Sequence, residues 1–208
     1  MFEEDHIYGY LRKYFFGCFW SEVYDLIEFI ANNNLGYFDN NKFKDECNAL
    51  LEKELSAYRF VGNLITPITS KIEASEIEKA LQTPLKPVNL HIQTALKLLS
   101  DRKEPDYRNS IKESISAVES ICNKITGDNN DTLGKAIKKI KTKIPLHGAL
   151  ENAFSSLYGY TSTAEGIRHA LMDEPDLHLE DAIFMLVSCS AFINYLMSKA
   201  TREKISLK

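Results

Sequence analysis

Between Pro105 and Gly127, Ile111, Ile115, Val118, Cys122 and Ile125 recur at spacings of three and four. That period places them on one stripe of an α-helix. It excludes a strand, whose faces alternate at every second residue. A long helix with one apolar stripe must be covered by other helices, and the rest of the chain supplies them. Residues 89–102 carry Leu90, Ala95, Leu98 and Leu99 inward. Residues 133–141 form a short Lys-rich helix, and another starts at Pro145. Residues 179–202 predict a last helix, apolar nearly all round, which must be surrounded by protein or by a second copy. Its longest apolar stretch, 182–197, is short for a bilayer, which needs about 20 residues. Only nine Gly and six Pro in 208 residues argue against an all-β sandwich, and 44% apolar with 26% charged residues is globular.

The N-terminal part is more mixed. Residues 8–31 predict one aromatic-rich helix, with Phe16, Phe19, Val23, Leu26 and Ile30 on its stripe. Residues 41–55 predict a second, with Phe43, Cys47, Leu50, Leu51 and Leu55 inward. Tyr58-Arg59-Phe60-Val61, Gly62-Asn63 and Leu64-Ile65-Thr66 then read as a β-hairpin. Two strands alone are not stable, so the hairpin must lean on helices. Residues 70–83 form a short helix. Pro84 and Pro87 make residues 83–88 a linker, which divides a helical region with a β-hairpin, 1–84, from a helical bundle, 85–208.

Charge limits the function classes. Twenty-five Lys and Arg against 29 Asp and Glu give a net charge of −4, which excludes bulk coating of nucleic acid and leaves room for a local patch. Such a patch exists: Lys135, Lys138, Lys139, Lys141 and Lys143 occur with no acid between Asp131 and Glu151. It reads either as a phosphate-tracking face or as the solvated side of a helix whose Ile137, Ile140 and Ile144 turn inward. The helix after Pro105 carries Arg108, Lys112 and Glu119 near one face and Asn109, Glu113, Ser116 and Ser120 near another. Arg168 and His169 can hold a phosphate oxygen and move a proton. They also read as a helix-end Arg paired with Asp173 or Glu174 beside a capping His. His6, His91, His147 and His178 stand isolated. The four cysteines are scattered, without zinc spacing, and read as core residues of a reducing compartment. No metal site, cofactor motif or secretory leader is visible, and a cytoplasmic chain is expected.

Several stretches together resemble a bacterial group. They are residues 105–119, Leu157-Tyr158-Gly159-Tyr160-Thr161, Gly166-Ile167-Arg168-His169-Ala170-Leu171 and Ser188-Cys189-Ser190-Ala191-Phe192, with 47–52 and the hairpin upstream. The chain from about Trp20 to Lys199 resembles the AbiJ group of abortive-infection proteins, whose C-terminal part is a HEPN-like helical domain. The resemblance implies a mainly α fold, with a HEPN-like bundle behind a small α-helical and β-hairpin region. It implies antiphage defence, a homodimer, and metal-independent RNA cleavage in which Arg and His meet across the dimer. This chain departs from the group's Arg-x4-6-His motif, because Arg168 and His169 are adjacent.

Two readings follow. In one, His169 is the acid/base and Arg168 binds phosphate, with Glu113 or Glu119 orienting them, while Lys135, Lys138, Lys139, Lys141 and Arg108 bind RNA. In the other, the bundle is a non-catalytic module that binds RNA, a nucleotide or a partner protein of a defence system. Neither reading involves a membrane.

Overall fold

The computed structural model describes residues 4–33, 36–128, 133–162 and 177–207. Among these, the elements run α1 (Glu4–Gly17), α2 (Trp20–Asn32), α3 (Asn40–Lys53), β1 (Arg59–Val61), β2 (Leu64–Thr66), α4 (Lys71–Leu81), α5 (Lys86–Leu99), α6 (Tyr107–Thr126), α7 (Leu133–Ile140), α8 (Gly148–Ser162) and α9 (Leu179–Arg202). The chain is mainly α, and its one sheet among the described residues is the hairpin β1-β2. It separates into two compact units, Met1–Ile65 and Thr66–Lys208, whereas the linker expected from Pro84 and Pro87 lies at residues 83–88.

In the first unit the single helix expected over 8–31 is two. Gly17, a poor helix former, ends α1. The Glu22 carboxylate then accepts the Phe19 backbone N–H at 2.8 Å, which restarts the helix as α2. The stripe expected across the break is lost with it. Phe16 and Phe19 are about three-quarters exposed, at 74% and 78%. The small core is built instead from Ala31, Phe60 and Ile65, with Tyr24, Ile27, Phe43, Cys47 and Tyr58 packed around them. Asn48 of α3 acts as a substitute strand. Its amide donates to the Phe60 carbonyl at 3.1 Å and accepts the Phe60 N–H at 2.7 Å. Glu28 of α2 accepts the Ile65 N–H. The hairpin therefore does lean on helices, by hydrogen bonds at both strands. Gly62 at φ +61° turns it, as a glycine at the first central position of a type II′ turn does. Leu50 and Leu55, expected inward, are exposed. Asp39 caps α3, and Leu55 lies beyond the helix end with a positive φ.

The second unit is organised around α6. All five residues of its expected stripe are buried, together with Ser110, Ser114, Ala117 and Ile121. Each fully buried Ile contributes about 1.5–3 kcal/mol over an exposed one. Asp106 accepts the Asn109 N–H at 2.9 Å and Gly127 closes the helix in the left-handed region at φ +78°, so both ends are satisfied. Pro105 immediately precedes the cap. Helices α5, α7 and α9 pack on α6, and α4 packs on α9 and α5. The expected linker is tighter than read: α5 begins at Lys86, with Pro87 in its first turn where no N–H is needed. Along α5, Val88, Ile92, Ala95, Leu96 and Leu99 are buried on one face at helical spacing, and Leu90 is exposed.

Helix α9 is long and apolar enough to cross a membrane, yet half of its apolar window is buried by protein. It packs against α4, α5 and α6, the setting of a core helix. Its buried Asn194 is satisfied by the Glu76 carbonyl at 2.9 Å and the Glu76 carboxylate at 2.7 Å. Phe192 stacks on Phe154 of α8.

Candidate functional site

The chemistry-bearing residues of the second unit fall on two surfaces. The first is the outer face of α7. Leu133, Ala136, Ile137, Ile140 and Ile144 are buried, which forces the intervening lysines outward. Lys135, Lys138, Lys139, Lys141 and Lys143 are all exposed. Two of them have acidic partners: Lys139 meets Asp128 at 2.9 Å, and Lys141 meets the nearly buried Glu151 at 3.3 Å. Lys135, Lys138 and Lys143 make no ion pair with a described residue. Lys199 of α9 donates to the Pro145 carbonyl at 3.3 Å, placing a sixth ammonium group beside the turn that carries Lys143. Residue spacing holds no hint of Lys199, because only the packing of α9 brings it there. Exposed ammonium groups on a rigid helix suit phosphate oxygens and do not read sequence.

The second surface is the α5–α6 hairpin. The two helices run antiparallel: Ser110 Oγ donates to the Ala95 carbonyl at 2.8 Å, and the Asp106 N–H to the Leu98 carbonyl at 3.0 Å. In this register His91 Nδ1 lies 2.6 Å from Glu113 Oε2, with the two side chains 33% and 23% exposed. The histidine that looks isolated in the sequence is thus held by the carboxylate expected to face Arg168 and His169. The signal that could have found the pair is the hairpin itself. Its short connection makes 91 and 113 neighbours across two helices, which spacing along one helix does not show. Glu119 and Arg108 lie on the other flank of α6, half-buried, and both have partners of their own. Glu113 and Glu119 therefore do not share a cleft on α6.

Arg168 and His169 lie outside the described residues. Among the described residues no group of three or more His, Cys, Asp or Glu is arranged to hold a metal ion. The four cysteines carry no disulfide. Burial pushes the Cys122 thiol well up, pushes Cys189 up to about 12, and raises half-buried Cys47 as well. None of the three is a ready thiolate. An open groove of about 430 Å³ at the α4–α5 turn is lined by Thr83, Pro84, Lys86, Asn89, Leu90 and Gln93. It includes neither the α7 lysines nor the His91–Glu113 pair.

One comparison speaks to the first unit. Residues 2–83 match the family model of AbiJ N-terminal domain 4. The AbiJ-matched stretch takes in α1 to α4 and the hairpin, and it supports the resemblance to the AbiJ-type group. It runs past the end of the first compact unit and includes α4, which packs in the second. No curated protein and no solved structure matches the chain.

Proposed function

We propose that this chain acts in abortive-infection defence against phage, with its second unit a HEPN-like bundle that engages RNA in the bacterial cytoplasm. The AbiJ match over residues 2–83 supports the defence role. The observation that carries RNA binding is the α7 face, where five exposed lysines stand over a fully buried isoleucine row. Single-stranded or folded RNA docks there through its phosphates, with Lys141 and Lys139 shared with acidic neighbours and Lys135, Lys138 and Lys143 contributing most. Arg168 and His169 complete the reading as phosphate-holding and proton-moving groups. A homodimer brings two such faces together.

A second reading is favoured by α1 and α2. Tyr8, Tyr10, Phe16, Phe19, Trp20 and Phe29 are all more than half exposed. Such an aromatic surface on the first unit fits docking to a partner protein of the defence system. In that case the bundle senses or binds rather than cuts.

The test is a triple charge reversal, Lys135→Glu, Lys138→Glu and Lys143→Glu. Wild type is expected to lower phage plating and to retard a labelled RNA. Binding by the triple variant is expected to collapse, with a salt slope shallower by about 0.7 for each phosphate left unneutralised. Phage plating should return to the level of a strain lacking the protein. A triple variant that protects cells as well as wild type does would overturn the RNA reading and leave the docking reading.

A further inference from the structure

Helix α2 has two faces of different character. Tyr24, Ile27 and Ala31 turn into the small core of the first unit. Phe19 at the cap, then Glu22, Asp25 and Phe29, follow at spacings of three and four, the period of a single helix face. Phe19 is 78% exposed and Phe29 63%, while Asp25 is exposed and Glu22 half-buried. Ten residues of helix set the two rings about 15 Å apart along the axis, with both carboxylates between them. The start of this face is firmly held. Trp20 leans on Tyr24 and Tyr58 with ring centroids 5.8 and 5.5 Å away, and Glu22 Oε2 accepts the Phe19 N–H at 2.8 Å. Side chains fixed in this way lose little freedom when something packs on them.

Charge says what packs there. Residues 1–65 hold eleven Asp and Glu against six Lys and Arg, while the remaining 143 residues hold 18 against 19. The acidity of the chain is therefore concentrated in the first unit. Tyr14 of α1 borders the carboxylates of α2: local desolvation and then the Glu22 charge, with Cys18, Asp25 and Tyr10 adding to it, hold its phenol above the usual value. An aromatic ring is negative over its face, so rings and carboxylates here attract the same thing, a cation, and the carboxylates repel phosphate. Within the chain a guanidinium already uses one such ring, since Arg12 lies over Phe16 at 5.2 Å. Arginine suits the α2 face better than lysine, because its planar head both stacks on a ring and pairs with a carboxylate through two bonds.

We propose that the outward face of α2, with Phe19, Glu22, Asp25 and Phe29, docks an arginine-rich segment of a partner protein. Guanidinium groups pair with the two carboxylates and stack on the two rings. The inference rests on the docking reading above and gives its partner a chemistry.

The experiment uses the full chain and three labelled peptides, in which glycine alternates with arginine, with lysine or with glutamate. Binding is read by anisotropy and by the emission of Trp20, the one tryptophan of the chain, which stands beside Phe19. The arginine peptide should bind and shift that emission, the lysine peptide should bind about threefold more weakly, and the glutamate peptide should do neither. Glu22→Gln with Asp25→Asn should weaken the arginine peptide about fivefold at an unchanged melting transition, because glutamine at 22 still accepts the Phe19 N–H. Phe19→Ser with Phe29→Ser should erase the preference for arginine over lysine and abolish phage protection. An arginine peptide that leaves Trp20 emission unchanged, or that binds the Glu22→Gln, Asp25→Asn variant as tightly as wild type, would overturn the inference. So would an RNA or an anionic vesicle that shifts Trp20 emission as the arginine peptide is expected to. In each case, loss of protection by the Phe19→Ser, Phe29→Ser variant would keep the docking reading with a partner of other chemistry. Full protection by that variant would instead sink the docking reading itself.

Discussion

Single side chains show how burial changes chemistry in this chain. Cys122 and Cys189 sit among apolar residues, and their thiols are raised because the interior disfavours a thiolate. In the unfolded chain both ionise near the ordinary cysteine value of 9. Above that pH the unfolded state has lost protons that the native state still holds, so stability must fall as pH rises. The window for Cys189 opens at 9 and closes at about 12. Chemical denaturation across this range should show stability declining. Cys189→Ala should make the decline shallower by about 1.4 kcal/mol per pH unit. An unchanged slope in that variant would mean that the thiol is not protected as the structure shows. Glu113 teaches a related point. It is legible in the sequence as a polar residue beside a core stripe, but its partner is not. His91 lies one hairpin away, and pairing across helices depends on register, which residue spacing within α6 does not contain.

At the scale of elements, the most readable helices are those whose ends and stripes agree. Helix α6 has a capping Asp106, an unbroken stripe and a glycine stop, and all three signals point to the same boundaries. Replacing Asp106 with Ala should lower stability by about 1 kcal/mol in urea denaturation, with little change in the slope of the transition. The hairpin is equally plain, since Gly62-Asn63 is a turn signal flanked by β-branched and aromatic residues. The first helix is not. Its stripe of Phe16, Phe19 and Val23 keeps helical spacing straight through Gly17 and Cys18, so periodicity alone continues the helix. What divides it is a backbone-to-carboxylate bond at Phe19, a local competition that a periodicity count does not weigh. Leu90 falls off the buried face because Val88, Ile92, Ala95 and Leu99 keep spacings of three and four among themselves and Leu90 does not.

For the molecule as a whole, the two compact units differ in how they are built. The second has a central helix covered by neighbours, and the first has a small core with most of its aromatic residues outside. A chain beginning at Pro67 keeps α4, α5, α7 and α8, which pack on α6 or α9. It is expected to show helical circular dichroism and a single cooperative thermal transition. A broad, non-cooperative melt would show that residues 67–208 are not a folding domain. The net charge of −4 describes the molecule correctly and the surface poorly. The average combines an acidic remainder with a basic face, legible already as five lysines over residues 135–143 and turned to solvent in the structure by the buried isoleucines of α7.

That placement has a consequence for how such a chain can change over generations. On α7 and the turn after it, two sets of positions answer to different demands: Ile137, Ile140 and Ile144 to folding, and Lys135, Lys138 and Lys143 to whatever approaches from solvent. Because none of these residues serves both, charge on this face can be raised, lowered or inverted one position at a time without endangering the fold. Charge on this face becomes a graded trait, adjustable in small steps, in a protein whose interior stays constant.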